Sequence, residues 1–434
     1  MIKLYFKTVW SELRQHPVIS AVSVVGTALA IFLIMLVVMI QQVKVAPYAP
    51  ESNRDRFLHT MLVCASKGES ENTISSMSEQ TFNQLYGQLK TPEAVTAYGA
   101  FTSSQPVGLP GQPTFSVDLR RTDDAYWKVF DFELIDGKPF DKATLKSAQR
   151  VAVISESVAM RLFGTTQVSG REFQMGHISF RVSGVVKDVS TMAYRAYAQI
   201  WIPYSLRFGF DMGSDSEDIT GSLSTTILAR HSSDFPAIRE EIKKNLAAYN
   251  TMLKETGYRV IDFNQPYDQE KAAMISLSTS FEPDVSAAQR TRWMIFLILL
   301  IVPAINLSSM TQSRYRQRVS EIGVRRAFGC TRVELVVQLL GENLILTLAA
   351  GVLGLLLSVA FSFAGTNLLF IQSLPTMSTE MPEVNITMLL QFSTFGWALL
   401  FCFVLNLLST GIPAWRASRM NIVNALDGST INNQ

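Results

Sequence analysis

Histidine, cysteine and clustered carboxylates, the side chains that most often bind metals or perform catalysis, are few and scattered in this sequence. The four histidines are scattered through the sequence, no CxxC is present and the cysteines lie far apart. The residues concerned are His16, His59, His177, His231, Cys64, Cys330 and Cys402. The GxxxxGKS/T phosphate loop and the GxGxxG, HExxH and GxSxG motifs are absent from the sequence. We therefore predict a chain that is not an enzyme and that holds no metal or cofactor.

A dense group of charged residues lies between positions 314 and 332, where the sequence contains six arginines. Arginine forms charge-assisted hydrogen bonds with a partner surface, and glycine allows a tight turn or a close backbone approach. We predict that this segment docks a partner through charged, small and hydroxyl residues: Glu321, Gly323, Arg325, Arg326, Gly329, Thr331 and Arg332. The alternative is a basic loop whose arginines contact only anionic lipid.

Two asparagines and a repeat of small residues lie inside apolar stretches. Asn306 and Asn406 are each expected to face another helix, because an unpaired amide in hydrocarbon is costly. Ala350, Gly354 and Ser358 recur every four residues, which places them on one helix face and allows close helix approach. Packing within one chain and an interface with a second copy both fit this pattern.

Long stretches without charged residues indicate the helices that position these residues. Of the 434 residues, 48% are hydrophobic and 17% are charged, and the shortage of charge is concentrated in four long uncharged stretches. About 20 apolar residues suffice to span a bilayer as a helix, in which every backbone amide is bonded internally. We predict a membrane protein with four transmembrane α-helices, at residues 17–43, 293–313, 343–366 and 389–413.

Lysine and arginine are distributed unevenly over the two ends of these spans. Eleven lie on the side that holds both termini and five on the other, which predicts that both termini are cytoplasmic. On the cytoplasmic side we place a lipid-contacting interfacial helix at 1–16, a coupling segment at 314–342 and a tail at 414–434. Residues 44–292 and a loop at 367–388 are then extracytoplasmic. The 38 Lys and Arg nearly balance the 36 Asp and Glu, so no basic field favours nucleic acid.

The segment 44–292 is predicted to fold as a large α+β domain. Runs rich in β-branched and aromatic residues predict strands at 114–119, 151–154, 180–186, 199–202 and 222–228. Ser155 is expected to cap a helix that ends at Phe163. A second helix is expected after Asp234, and its apolar face carries Phe235, Ile238, Ile242 and Leu246.

Aromatic residues crowd a short segment of this domain after Asp188. They include Tyr194, Tyr197 and Trp201. Because exposed aromatic side chains are effective contact residues, we hypothesise that they touch a substrate or an extracytoplasmic partner. The alternative is that they form the core side of a strand that ends at Pro203.

Several motifs resemble those of one known family. Residues 320–332 read SEIGVRRAFGCTR, and residues 413–426 read PAWRASRMNIVNAL. Within the large domain, residues 132–140 read FELIDGKPF and residues 180–188 read FRVSGVVKD. Over nearly its whole length the chain resembles the FtsX-like permeases of the MacB type, also called type VII or mechanotransmission ABC transporters.

This resemblance implies a permease subunit of the bacterial inner membrane that works with a second permease copy or paralogue on a separate cytoplasmic ABC ATPase. It also implies that ATP and Mg²⁺ are bound by the ATPase, that residues 321–332 dock it, and that the extracytoplasmic domain is moved. Efflux, lipoprotein release and regulation of an extracytoplasmic cell-wall hydrolase remain open within the family. A membrane-anchored sensor with no ATPase is the alternative outside it.

Overall fold

The structure, a computed structural model, describes residues 17–68, 71–206, 219–274, 284–317, 323–325, 327–364 and 392–418. Its described residues divide into two compact units: a helical unit, within residues 17–42, 286–364 and 392–418, and a large domain, within residues 43–285. Several predictions fall outside the described residues: the interfacial helix at 1–16, the loop at 367–388, the tail beyond 418, Glu321 and Arg326.

The first described element is the helix α1 (Pro17–Val45), which contains the first uncharged stretch. The strands of the large domain follow it. They are β1 (Phe57–Thr60), β2 (Val63–Lys67), β3 (Glu71–Met77), β4 (Ala94–Gly99), β5 (Ser103–Gly108), β6 (Phe115–Thr122), β7 (Leu134–Gly137), β8 (Val151–Ser155), β9 (Glu172–Met175), β10 (Ile178–Val186), β11 (Ile200–Pro203), β12 (Thr220–Gly221), β13 (Leu223–Leu228), β14 (Tyr258–Ile261) and β15 (Tyr267–Asp268).

These strands are connected in one hydrogen-bonded sheet, whose main path runs β11, β8, β10, β9, β5, β6, β4, β13, β3, β2, β14. On this path the pair β8–β10 is parallel and the other neighbours are antiparallel. An additional pairing, β6–β11, is also parallel. The five strands expected from the sequence correspond to β6, β8, β10, β11 and β13, so those predictions are confirmed.

The described residues of the large domain also form six α-helices. They are α2 (Glu79–Leu85), α3 (Tyr126–Val129), α4 (Lys142–Lys146), α5 (Glu156–Phe163), α6 (Phe235–Met252) and α7 (Gln269–Ala272). Three of them (α2, α5 and α6) contribute to two separate hydrophobic clusters. As predicted, Ser155 caps α5 by accepting the backbone N–H of Val158. The apolar face of α6 packs into one cluster through fully buried Ile238 and Ile242, while α5 packs into the other. The α+β architecture is confirmed.

Three further long helices lie among the described residues of the helical unit: α8 (Val285–Gln317), α9 (Arg332–Ala364) and α10 (Phe392–Ser418). Among the described residues, three helices are long and apolar enough to cross a membrane. The qualifying stretches are Val24–Val45 of α1, Arg332–Ser362 of α9 and Gly396–Trp415 of α10. The span expected at 293–313 lies inside α8, which is not among the three, so the count of four spans stays a prediction.

The coupling segment expected at 314–342 overlaps the ends of two long helices, and its described middle part is helical at 323–325. α8 continues to Gln317, and α9 already begins at Arg332 rather than at residue 343. The difference arises because an absence of charge marks only the apolar part of a helix, whereas backbone hydrogen bonding continues through charged residues. Much of the segment therefore belongs to the ends of two long helices.

Candidate functional site

The described part of the predicted docking segment forms a tight connection to α9, which we call the arginine turn and define as residues 323–331. Residues 323–325 are helical, and the backbone N–H of Cys330 donates to the carbonyl of Arg325 at 3.1 Å. Gly329 has a φ of 92°, a conformation that residues with a side chain rarely adopt. The turn predicted at Gly329 is therefore present.

Thr331 caps α9. Its hydroxyl accepts the backbone N–H of Glu334 at 3.3 Å, and its own N–H donates to the Glu334 Oε2 at 2.9 Å. This reciprocal arrangement satisfies donors that a helix start leaves without partners. The structure thus gives Thr331 a local role in starting α9, while the neighbouring Arg332 is exposed.

Arg325 is bonded to the face of α9. Its Nη1 donates to the Oε1 of Gln338 at 2.9 Å, and the Nε2 of Gln338 donates to the Oε1 of Glu342 at 3.0 Å. Glu342 is 3% exposed, and Gly323, at the start of the turn, is also buried. The chain of side chains holds the arginine turn against α9, which the sequence did not predict.

Sequence reasoning also missed Phe328, whose side chain is 89% exposed at the tip of the arginine turn. Val324, one helical turn earlier, is 43% exposed, and its carbonyl accepts the backbone N–H of Phe328 at 3.1 Å. The two side chains form a small apolar surface beside arginines. An aromatic residue inside an arginine-rich segment was the signal that could have identified it.

The small-residue repeat packs within the chain. Ala350 and Ser358 are fully buried, and a Cβ added to Gly354 would lie 2.6 Å from the carbonyl oxygen of Ala28 in α1. A Cβ on the adjacent Gly351 would overlap the sulfur of Cys402 in α10. The sequence left two alternatives, packing within one chain and an interface with a second copy. The contacts in the structure are of the first kind, between α9, α1 and α10.

Asn406 also bonds inside the helical unit. Its Nδ2 donates to the backbone carbonyl of Leu340 in α9 at 3.2 Å, and its Oδ1 lies 3.3 Å from the Thr410 hydroxyl. The expected contact with another helix is therefore present. The side chain of Asn306 lies outside the described residues.

The aromatic contact hypothesis needs a correction. Tyr197 is 3% exposed and its hydroxyl donates to the Asp118 Oδ2 at 2.7 Å, while Trp201 is fully buried in β11. Tyr194 is half-buried and donates to the carbonyl of Ala100 at 3.1 Å. The expected exposure is wrong for Tyr197 and Trp201, because their rings fill the interior of the domain instead of facing a partner.

Three charged residues in the interior of the large domain were also not predicted. Glu51 is 1% exposed, Arg54 is 3% exposed and Arg120 is 1% exposed. A buried charge is costly unless it is paired and hydrogen-bonded. Glu51 and Arg54 pair with each other, and Arg120 donates to three backbone carbonyls.

A pocket of about 260 Å³ opens beside the start of α5. Its polar wall includes Asp188, whose Oδ1 accepts both the N–H and the hydroxyl of Ser157, at 3.0 and 2.7 Å. The Arg161 guanidinium in the same wall lies 3.9 Å from the ring centre of Phe115. In the part of the chain that the structure describes, no group of three or more His, Cys, Asp and Glu could hold a metal ion.

Two family models match the chain. A MacB-like periplasmic core domain matches residues 20–245, and an FtsX-like permease C-terminal domain matches residues 293–422. The first match covers most of α1 and of the large domain, and the second covers most of α8 and all of α9 and α10.

Individual relatives agree with these matches. The chain is 21% identical over 360 residues to YknZ of Bacillus subtilis, named as an uncharacterized ABC transporter permease, with 82% of each chain covered. It is 26% identical over 305 residues to the macrolide export ATP-binding/permease protein MacB 1 of Yersinia pestis, covering 70% of this chain and 42% of that protein. For MacB of Bdellovibrio bacteriovorus the identity is 24% over 308 residues, with 67% and 41% covered. The chain thus spans less than half the length of these two MacB proteins.

Two solved structures match part of this chain. The extracellular domain of YknZ is 18% identical and covers 46% of this chain and 99% of its own, with a TM-score of 0.33. The periplasmic region of MacB from Actinobacillus actinomycetemcomitans is 17% identical, with 48% and 88% covered and a TM-score of 0.33. Because the periplasmic core model alone matches more than half of the residues and the permease model matches the helices that follow, the chain belongs to the FtsX/MacB-type ABC transporter permeases.

Proposed function

We propose that this chain is the permease subunit of a transporter that transmits ATP-driven motion from a separate cytoplasmic ATPase to its large domain. The chain itself is not catalytic, and the ATPase binds ATP and Mg²⁺. The permease works in a bacterial inner membrane as a dimer with a second copy or a paralogue. Both termini and the arginine turn are cytoplasmic, and the motion of the extracytoplasmic large domain serves export.

The observation that carries this proposal is the exposed ring of Phe328 on a turn that is held by hydrogen bonds. Transfer of a phenylalanine side chain from water into a partner's pocket is favourable by about 1.5–3 kcal/mol. Arginine and aromatic side chains dominate binding energy at interfaces, and the exposed Arg332 lies close by in sequence. The turn therefore offers both an apolar anchor and charge-assisted bonds to a docking ATPase.

A docked ATPase can act on the large domain only through helices that move as one body. Arg325 ties the arginine turn to α9 through Gln338. Gly354 brings α9 against the backbone of α1, and α1 continues into the large domain. Because close-packed interiors transmit strain, force on the turn displaces α9 together with α1.

Co-expression with each stand-alone ABC ATPase of the source genome, followed by affinity purification and an assay of ATP hydrolysis, tests the proposal. We expect one ATPase to co-purify with the wild-type chain, and the double variant Arg325→Glu, Phe328→Asp to lose it. The matched control, Arg230→Glu with Met252→Asp, makes the same changes at exposed positions of the large domain and should retain the ATPase.

Two results would contradict the proposal. A wild-type chain that binds none of these ATPases would favour the membrane-anchored sensor. A double variant that retains the ATPase at the wild-type level would mean that the arginine turn does not dock the ATPase. It would favour the alternative, a basic loop that contacts only lipid.

A further inference from the structure

Tyr48, Glu51 and Arg54, which we call the Arg54 cluster, follow α1 directly. The Arg54 Nε donates to the Glu51 Oε2 at 2.7 Å, and the two side chains are 2% and 1% exposed. The guanidinium lies 4.0 Å from the Tyr48 ring centre, and its Nη2 donates to the Tyr48 hydroxyl at 2.7 Å. Burial acts to lower the pKa of Arg54, but the interactions with Glu51 and Tyr48 together outweigh it and the pKa is raised. Arg54 therefore remains a cation inside the protein.

The cluster holds the last turn of α1. The Arg54 Nη1 donates to the backbone carbonyls of Val43 at 3.0 Å and Ala46 at 3.1 Å. The final carbonyls of a helix have no partner within it, and a cation at this end also interacts favourably with the helix dipole. The end of α1 is thus bonded to a residue that lies beyond the intervening loop.

The same cluster holds residues 190–198, which include Tyr194 and Tyr197, two of the aromatic residues that were expected to contact a partner. The Glu51 Oε1 accepts the backbone N–H groups of Arg195 at 2.9 Å and Ala196 at 3.1 Å. The Arg54 Nη2 donates to the carbonyl of Met192 at 3.2 Å. One ion pair therefore links the end of α1 to a segment about 140 residues further along the chain.

Residues 190–198 are in turn bonded to the central strands. Arg120 of β6 donates through Nε to the carbonyl of Tyr197 and through Nη2 to the carbonyl of Tyr194, both at 2.9 Å. Its Nη1 donates to the carbonyl of Gly99 in β4 at 2.6 Å. The Tyr126 hydroxyl lies 3.0 and 2.9 Å from two further carbonyls of the segment. A continuous hydrogen-bonded path therefore runs from the last turn of α1 to the sheet.

Stability alone does not account for this path. Replacement of a buried ion pair by apolar residues of similar volume is often neutral or stabilising. A polar network whose groups are all bonded instead favours a single geometry and rigidity. In the Arg54 cluster all three guanidinium nitrogens have partners.

We propose that Glu51 and Arg54 are positioning residues that make the last turn of α1, residues 190–198 and the sheet move together. Without this pair, displacement of α1 is absorbed by the chain between residues 46 and 53. The inference deepens the proposed function and rests on it, because it adds a second coupling point where the large domain receives the motion.

Hydrogen–deuterium exchange of the full permease bound to its ATPase, with and without ATP and vanadate, tests this inference. The variants are Arg54→Lys, which keeps the charge but not the planar set of donors, and Glu51→Met with Arg54→Met, which leaves no unpaired charge. We expect both to bind the ATPase, to support ATP hydrolysis and to unfold at a temperature near that of wild type. We expect the nucleotide-dependent change in exchange at residues 190–198 to be lost.

The matched control replaces the exposed pair Glu240 and Lys243 by methionine, and it should keep the wild-type change. The inference is overturned if the Glu51→Met, Arg54→Met complex keeps that change, or if a wild-type complex that hydrolyses ATP has no change at residues 190–198. A wild-type chain that binds no ATPase overturns the proposed function and this inference together. The two results above overturn the inference although the ATPase binds, so the two failures are distinguishable.

Discussion

The arginine turn and the Arg54 cluster both use an arginine to hold the end of a long helix, but water reaches the two arginines to different extents. Arg325 is half-buried and bonds to Gln338, whereas Arg54 is 3% exposed and bonds to a carboxylate, a phenol and three backbone carbonyls. Exposed charges add little stability, while a buried charge that loses its partner is costly. The turn is therefore suited to bind another molecule, and the cluster to hold its own chain.

The aromatic residues of the two regions differ in the same way. Phe328 of the arginine turn is 89% exposed, whereas Trp201, in the segment that was expected to bind partners, is fully buried. The Trp201 Nε1 donates to the carbonyl of Ala196 at 3.2 Å, which adds a bond to residues 190–198. The exposed aromatic side chain that the sequence suggested on the large domain is thus found at the turn instead.

The largest effect should come from truncating the buried arginine. Arg54→Ala leaves the Glu51 carboxylate buried without its ion partner, which we expect to cost about 3–5 kcal/mol of the free energy of unfolding. Arg325→Ala should cost less than about 1 kcal/mol. Denaturant unfolding of the two purified variants in detergent measures both losses. Equal losses would remove the distinction between the two regions.

The packing of the helices that connect the two regions gives the next largest effect. Gly354→Leu places a side chain against the backbone of α1, and we expect a cost of about 1–3 kcal/mol from overpacking. Gly396→Leu in α10 is the control, because no atom lies within 4 Å of its added Cβ. Thermal unfolding in detergent compares them. If Gly354→Leu is as stable as the control, α9 is not held against α1 in solution.

Truncation of the exposed ring should separate binding from stability. Phe328→Ala is expected to change the free energy of unfolding by less than about 0.5 kcal/mol, because the side chain is mostly in solvent. Its affinity for the ATPase should fall about tenfold or more, since burial of the ring contributes at least about 1.5 kcal/mol. Titration of the ATPase onto immobilised permease measures this, with Met252→Ala as an exposed apolar control. Unchanged affinity would mean that the ring is not an anchor.

A smaller effect should appear in the pH dependence of the large domain. Burial raises the pKa of Asp123 from 3.8 to about 7, although its carboxylate accepts bonds from the Thr96 hydroxyl and the N–H groups of Ala97 and Tyr126. The folded state then keeps a proton that the unfolded chain releases near pH 4. The contribution of Asp123 to stability therefore decreases as the pH rises from about 4 to about 7.

Thermal unfolding of wild type and Asp123→Asn from pH 5 to pH 8 measures this contribution as a difference. Buried His59, whose pKa is lowered well below its ordinary value by burial, has the opposite dependence in both proteins and cancels. We expect the advantage of wild type over the variant to shrink as the pH rises. A constant difference would mean that Asp123 is ionised throughout this range.

Local patterns predicted much of the fold because they depend on neighbouring residues. Uncharged stretches located α1, α9 and α10, since the transfer of a helix into hydrocarbon depends on the composition of one continuous segment. A capping serine located α5, and the spacing of apolar residues located the buried face of α6. The arginines of the docking segment were also visible, but not the bond from Arg325 to Gln338, which requires the turn at Gly329 to fold back on α9.

The sequence by itself determined a helical membrane protein with a large α+β domain, because hydrophobic periodicity, helix caps and charge-free length are local properties. Only the tertiary structure decided which aromatic residues are buried and which exposed, because Tyr197 and Phe328 differ in what other elements pack over them. It also decided the bonds from Glu51 to Arg195 and Ala196, which are 144 and 145 residues away. Local sequence patterns cannot predict contacts over that distance. The partners of the Glu51 carboxylate depend on which backbone N–H groups the folded sheet places beside it.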